Sequence, residues 1–205
     1  MEKRTEIRLA GEGGQGMILA GIILAESAAI YDGKQVTQTQ SYGPEARGGA
    51  SRSEVVISDV EIDHPEVLSA HVVVALSQEA YEKFAKTVHP GGLLIIDEDQ
   101  VVIPQPVNGP PNAGLPVGVH LIKIPVMYIA QETTGRVITA NTVALGVLVG
   151  LTSVVSKQAI EKAVTARAPK GTEEMNRKAL EAGFAAAEQV KESAGKNPAL
   201  SRKME

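Results

Sequence analysis

Gly11-x-Gly13-x-x-Gly16 has the spacing of loops that bring a backbone against a phosphate at a helix N-terminus. It lies between a strand candidate at Glu6–Ala10 and an apolar run that begins at Met17. Glycines there remove the side chains that would hold a phosphate away, Gly14 adds further freedom, and the first-turn N–H groups supply donors. A dinucleotide site also needs a carboxylate about 20 residues further on, to accept hydrogen bonds from a ribose. That region reads Val36-Thr37-Gln38-Thr39-Gln40, with Asp32 before the strand and Glu45 after it. Three readings stay open: glycines that serve only a turn and close helix–sheet packing, an NAD(P) site, and a site for another phosphate or a partner. Gln15 stands out, because neither packing nor phosphate binding asks for an amide at that position.

A second loop, Ser41 to Arg52, is shaped by Gly43, Pro44, Gly48 and Gly49. Arg47 and Arg52 carry guanidinium forks suited to bidentate binding of phosphate or carboxylate. Glu45 can neutralise one of them, so the same loop also suits an interface or structural corner, with Tyr42 packed and its hydroxyl paired. Ser77-Gln78-Glu79 follows an apolar strand candidate, where doubly wound sheets place ligands, although a helix cap is sufficient to explain these residues and is the favoured reading. Asn141, ahead of a buried helix, is likewise either a cap or a site residue. The four histidines, His64, His71, His89 and His120, have no helical i, i+4 pairing and give metal binding little support. No Gly-x-Ser-x-Gly elbow or Walker A loop is present.

The elements that must position these residues can be read from apolar spacing. Short runs at Ser53–Ser58, His71–Leu76, Leu93–Ile96 and Val119–Ile124 suit buried strands, and Lys34–Gln40 suits a second strand completing a βαβ unit. Tyr81, Phe84, Ala85 and Val88 repeat as one helix face, which His89-Pro90-Gly91-Gly92 should end. The segment from Gln100 to His120 holds five prolines and predicts an extended, functional or partner-facing loop. Pro125 should open a short helix, Val143–Val155 a buried one, and Ser156 and Thr172 should cap the last two. Gly146 and Gly150 would let another helix approach closely, with core packing favoured over a subunit contact. The expectation is a three-layer, Rossmann-like α/β domain over residues 1–194, with a mainly parallel sheet and a helical C-terminal segment, followed by a flexible tail over 195–205.

Composition narrows function further. Of 205 residues, 43% are hydrophobic and 21% charged, and the formal net charge is −4, which predicts a globular chain with no broad attraction for nucleic acid or anionic lipid. With no Cys, thiolate zinc sites, Cys-ligated iron–sulfur clusters and a Cys nucleophile are excluded from this chain. Met1–Arg8 is charged and has no signal-like apolar core, so a cytoplasmic location is expected. The uncharged stretch Val137–Ser156 is interrupted by polar residues and is read as a buried helix, with no role for a membrane.

Gly11-Glu12-Gly13-Gly14-Gln15-Gly16 together with Ser41-Tyr42-Gly43-Pro44-Glu45-Ala46-Arg47-Gly48-Gly49 resembles the gamma subunit of the 2-oxoacid:ferredoxin oxidoreductases. The likeness continues through Ser53–Asp59, Ala75–Tyr81, Pro90-Gly91-Gly92 and Asn141–Gly146. Within the family, Gln38-Thr39-Gln40 and Ala46-Arg47-Gly48-Gly49 look most like the 2-oxoglutarate enzymes. The resemblance implies a multisubunit enzyme that decarboxylates a 2-oxoacid on thiamine diphosphate, passes electrons through iron–sulfur clusters to ferredoxin and releases an acyl-CoA. It implies alpha, beta and ferredoxin-like delta partners that carry the thiamine diphosphate, Mg and clusters. Consistent with that division, this chain lacks a Gly-Asp-Gly…Asn diphosphate motif; the nearest string is Tyr31-Asp32-Gly33-Lys34. No catalytic residue is assigned to it. Its implied role is assembly and enclosure of coenzyme A by Gly11, Gly13, Gly14, Gln15, Gly16, Ser41, Tyr42, Gly43, Glu45, Arg47, Gly48, Gly49, Ser77 and Gln78. A stand-alone NAD(P)-dependent oxidoreductase and a nonenzymatic acyl-CoA- or nucleotide-binding module are the alternatives.

Overall fold

The computed structural model describes residues 4–42, 50–103 and 114–195. Its sheet has six strands: β1 (Arg4–Gly11), β2 (Gln35–Ser41), β3 (Ser51–Ser58), β4 (Ala70–Ala75), β5 (Val88–Asp97) and β6 (His120–Ile124). They lie in the order β2-β3-β1-β4-β5-β6, with β1, β4, β5 and β6 paired in parallel and β3 antiparallel to both neighbours. The sheet is therefore mainly parallel, but the expected β1–helix–β2 unit is split, because β3 sits between its two strands. Burial explains this order. Val55, Val56 and Ile57 of β3 are almost wholly buried and need cover on both sides, whereas the Gln- and Thr-rich β2 tolerates the sheet edge.

Alternation along the strands divides the core. Ile7 and Leu9, Val55 and Ile57, and Val72 and Val74 face a layer of five helices: α1 (Met17–Glu26), α3 (Val126–Thr134), α4 (Ala140–Thr152), α5 (Lys157–Arg167) and α6 (Glu173–Gly195). Ala10, Val56, Val73, Ala75, Leu94 and Ile96 face α2 (Gln78–Phe84) and the segments carrying Val67 and Val101. α2 is shorter than its sequence pattern predicts, because Val88 begins β5 instead of completing a helical face. His89-Pro90-Gly91-Gly92 lies within β5, and the irregular register between Ala70 and Val72 accommodates it. Glu98 to Ile103 and Gly114 to Val119 carry no helix or strand, and residues 104–113, the middle of the expected extended loop, lie outside the described residues.

α4 is the centre of the helical layer: every residue from Ala140 to Gly150 is buried. A helix apolar on all sides requires neighbours on all sides, and α1, α3, α5 and α6 supply them. Gly146 and Gly183 face each other where α4 crosses α6, so the close approach expected at Gly146 and Gly150 is an internal contact with α6. α1 ends in one wide π turn over Ser27–Tyr31. The Asp32 carboxylate beyond it accepts from Ser156 N and Ser156 Oγ, each at 2.7 Å, and ties α1 to the start of α5. Ser156 caps α5 as expected, accepting from Ala159 N at 3.1 Å. The Thr172 hydroxyl instead donates to the Pro169 carbonyl at 2.7 Å.

Candidate functional site at the C-terminal edge of the sheet

Two elements meet at the end of β1. Pairing of Gly11 with Ser51, and of Ser41 with Arg52, places both ends of the second loop beside the Gly11–Gly16 loop. Ser51 Oγ donates to the Gly11 carbonyl at 3.1 Å, which fastens β3 to β1. Leu76, just past β4, donates its N–H to Ala10 O at 3.0 Å, bringing Ser77 and Gln78 to the same edge. Of the predicted site residues, the structure thus assembles Gly11, Gly13, Gly14, Gln15, Gly16, Ser41, Tyr42, Ser77 and Gln78 along one edge. Gly43, Glu45, Arg47, Gly48 and Gly49 lie outside the described residues.

Gln15 has an internal task. Its Oε1 accepts from Glu12 N at 2.7 Å and its Nε2 donates to the Leu76 carbonyl at 3.1 Å, so one amide shapes the turn and pins it to the end of β4. Gln15→Ala should lower stability by about 1–2 kcal/mol, the usual cost of losing two hydrogen bonds, one exposed and one partly buried. A shift of the urea midpoint at constant m-value checks this; Gln15→Met, which keeps the bulk, should behave like Ala.

Gly16 has φ +73, and a Cβ there would lie 2.7 Å from Asn141 Nδ2. Glycine is thus required both for the left-handed turn and for the close approach of α4. Asn141 Nδ2 faces the Gly16 carbonyl at 3.4 Å, while its Oδ1 accepts from Thr142 N at 2.8 Å. The Thr142 hydroxyl continues the chain to Asn176 Oδ1 at 3.1 Å. Asn141 is therefore the joint between the starts of α1 and α4. Nothing in the sequence marks Asn176, whose spacing within α6 resembles that of any solvated helix residue.

The helix starts along this edge differ in how they are satisfied. Ser77 accepts from Ala80 N at 3.2 Å and caps α2, the cap reading of that residue. Gln78 bonds Glu82 and accepts from Val102 N at 2.8 Å, holding the chain that leaves β5. Glu79 lies below the usual carboxylate range, first through a hydrogen bond from Lys83 and then through the Ala50 N–H. Asp97 is fully buried at the end of β5 and accepts from Met127 N at 2.8 Å and Asp99 N at 3.0 Å, closing the start of α3. Burial raises its pKa against the pull of those N–H groups. α1, α3 and α4 all begin without a cap from the N-cap side chain or an acidic residue in the first turn, but Asp97 takes the Met127 N–H of α3 and Asn141 the Thr142 N–H of α4, whereas a Cβ on Gly13 or Gly14 before α1 would meet nothing within 4 Å. Open backbone at a helix N-terminus is suited to an anion.

Arg52 is less available than the sequence suggests: its guanidinium lies 3.8 Å from Glu54 and 5.8 Å from the centre of the Phe84 ring. Tyr42 is 70% exposed rather than packed. The position beside β1 that a dinucleotide fold gives to its ribose-binding strand is occupied by the antiparallel β3. Among the described residues, no group of three or more potential ligands is arranged to hold a metal, and no helix is long and apolar enough to cross a membrane.

The family model for pyruvate ferredoxin/flavodoxin oxidoreductase matches residues 6–186. The chain is 48% identical over 190 residues to the 2-oxoglutarate synthase subunit KorC of Methanocaldococcus jannaschii, covering 93% of this chain and 97% of that one. The crystal structure of a keto/oxoacid ferredoxin oxidoreductase gamma subunit from Geobacter sulfurreducens superposes with a TM-score of 0.78 at 46% identity, over 91% of this chain and 98% of that one. A 2-oxoglutarate:ferredoxin oxidoreductase from Magnetococcus marinus, solved with 2-oxoglutarate, coenzyme A and succinyl-CoA bound, matches with a TM-score of 0.76 at 27% identity. There the similarity covers 91% of this chain but 31% of the other. By sequence and by fold, the chain belongs to the pyruvate ferredoxin/flavodoxin oxidoreductase family.

Proposed function

We propose that this chain is the gamma subunit of a multisubunit 2-oxoglutarate:ferredoxin oxidoreductase, which converts a 2-oxoacid and coenzyme A to acyl-CoA and CO2 while reducing ferredoxin. The observation that carries the reading is the near end-to-end match to KorC, at 48% identity over 97% of its length. The Magnetococcus chain supports it in a second way: a fold like this one forms about a third of a longer polypeptide, so the remainder corresponds to what partner chains supply here. This chain has no Cys to ligate a cluster and no diphosphate motif, so its residues do not fit the redox and thiamine groups, which we assign to alpha, beta and ferredoxin-like delta partners in the cytoplasm.

Its own contribution is binding and shape. The uncapped start of α1, with Gly13 and Gly14 open beside it, offers backbone donors to a phosphate of coenzyme A. Ser41 and Arg52, which flank the segment carrying Glu45 and Arg47, pair at the same edge. An NAD(P) site is disfavoured by β3 lying next to β1 and by the absence of a carboxylate along β2. Purified from its native source, the chain should bring with it partners containing thiamine diphosphate and iron. Alone, it should neither reduce ferredoxin with 2-oxoglutarate nor bind NAD(P)H at micromolar concentration. Keto-acid turnover by the single polypeptide, or purification without such partners, would overturn the assignment.

A further inference from the structure

The opposite, N-terminal edge of the sheet brings together three histidines that are far apart in sequence. His71 and His89 are the second residues of β4 and β5, and His120 begins β6; with Gly91, Gly92, Leu93 and Leu151 they line a cavity of about 240 Å³. The His71 and His89 rings stack, with centroids 5.2 Å apart and planes 24° from parallel. Nitrogen lone pairs lie in the ring planes, so stacked rings point them side by side rather than at one ion. Among the described residues, no three metal-ligating side chains converge.

His71 Nδ1 accepts the Glu6 backbone N–H at 3.0 Å. That bond requires an unprotonated Nδ1, so the neutral ring carries its proton on Nε2. Glu6 lies just before the point where the β1–β4 ladder begins, at Ile7 opposite Val72, and its N–H has no strand partner on that side. We propose that His71 is an acid-sensitive fastener: a proton taken up at Nδ1 displaces the Glu6 N–H and loosens the start of β1 from β4, while the C-terminal edge stays formed.

The charges around the ring set the sign. Among the described residues, His71 faces Glu6 and Arg4 of β1 and His89 of β5; His120 of β6 and the uncharged Leu151 of α4 complete the cavity. Burial is the largest influence and opposes protonation; Glu6 favours it, and His89 and Arg4 oppose it, leaving the pKa below the ordinary histidine value. Glu6 is also engaged by Arg4 at 3.0 Å, and Arg4 is held by the His64 carbonyl at 2.7 Å. With the folded value depressed, the unfolded chain takes up the proton first. The fastener therefore holds fully above a pH of about 6.5 and weakens as the pH falls through that value toward the folded one.

Amide hydrogen exchange of the full chain, corrected for intrinsic rates, tests this. Between pH values of about 7.5 and about 5.5, protection at Glu6 should fall about tenfold, one pH unit's worth of differential proton binding, while Leu76 at the other edge stays unchanged. In His71→Asn, whose side-chain oxygen can accept from Glu6 N–H but cannot titrate, the fall should disappear. A Glu6 protection that does not change with pH, or that falls equally in His71→Asn, overturns the proposal. Should that variant fail to fold, the imidazole 15N shifts of the unmodified chain decide instead. A persistent Nε2–H tautomer that titrates below the ordinary value supports the fastener, and mixed tautomers titrating at the ordinary value sink it.

Discussion

Gly146→Ala is expected to lower stability by about 3 kcal/mol or more, and Gly146→Leu to prevent accumulation of folded protein. In most helices the first of these changes is favourable by about 1 kcal/mol, because alanine restricts the unfolded chain and suits the helix. Here a Cβ on Gly146 would lie 2.9 Å from Gly183 Cα and closer still to the Leu180 carbonyl. A Cβ on Gly183 would meet Gly146 Cα at 2.9 Å and Val147 N at 3.0 Å. These neighbours are backbone, so no rotamer change relieves the contact and the two helices must separate. α4 is buried on every side, and its displacement would open gaps against α1 and α3 as well. Asn141 would move with it, away from Gly16, so the damage would reach the candidate site about one and a half turns away. Urea unfolding of Gly146→Ala and Gly183→Ala, singly and together, checks the result. Because one spacing sets both contacts, the double variant should cost less than the sum of the singles.

That crossing also shows what sequence can and cannot disclose. The uncharged run around Gly146 and Gly150 announces a buried helix and close contact, but α6 becomes identifiable as its partner only when Gly183 is found opposite. The alternation of Ile7, Leu9, Val55, Ile57, Val72 and Val74 makes a covered sheet legible, whereas strand order is a long-range property. β3 enters between β1 and β2 because its apolar triplet gains more from central burial than β2 would. The glycine loop was visible by spacing, and Gln15 by its oddness, yet the carbonyl it grips belongs to Leu76, 61 positions later. His71, His89 and His120 look scattered because parallel strands bring their starts together through long crossover connections, and nothing local encodes that meeting.

Arg8→Met should cost about 3–5 kcal/mol, the range for removing one member of a buried ion pair. Arg8 is 5% exposed and sits mid-strand on β1, opposite Glu54 of β3, on the α2 face of the sheet. Its Nε donates to Glu54 Oε1 at 2.7 Å and its Nη2 to the Val67 carbonyl at 2.8 Å; Nη1 bonds the Thr87 hydroxyl. The guanidinium carbon lies 5.4 Å from the centre of the Phe84 ring. One side chain thus joins β1, β3, the loop before β4 and the turn after α2, the thinner of the two helical layers. Removing it strands the Glu54 carboxylate, whose side chain is 11% exposed, leaving Arg52 at 3.8 Å as its nearer remaining cation. Removing both charges is a different matter, since an apolar pair of similar volume gives up the ion pair together with its desolvation cost. The double variant Arg8→Met/Glu54→Leu should therefore recover about 2 kcal/mol or more relative to Arg8→Met alone, read from urea midpoints. A double variant no more stable than Arg8→Met would mean that the bonds to Val67 and Thr87, rather than the pairing with Glu54, are what hold this layer on the sheet.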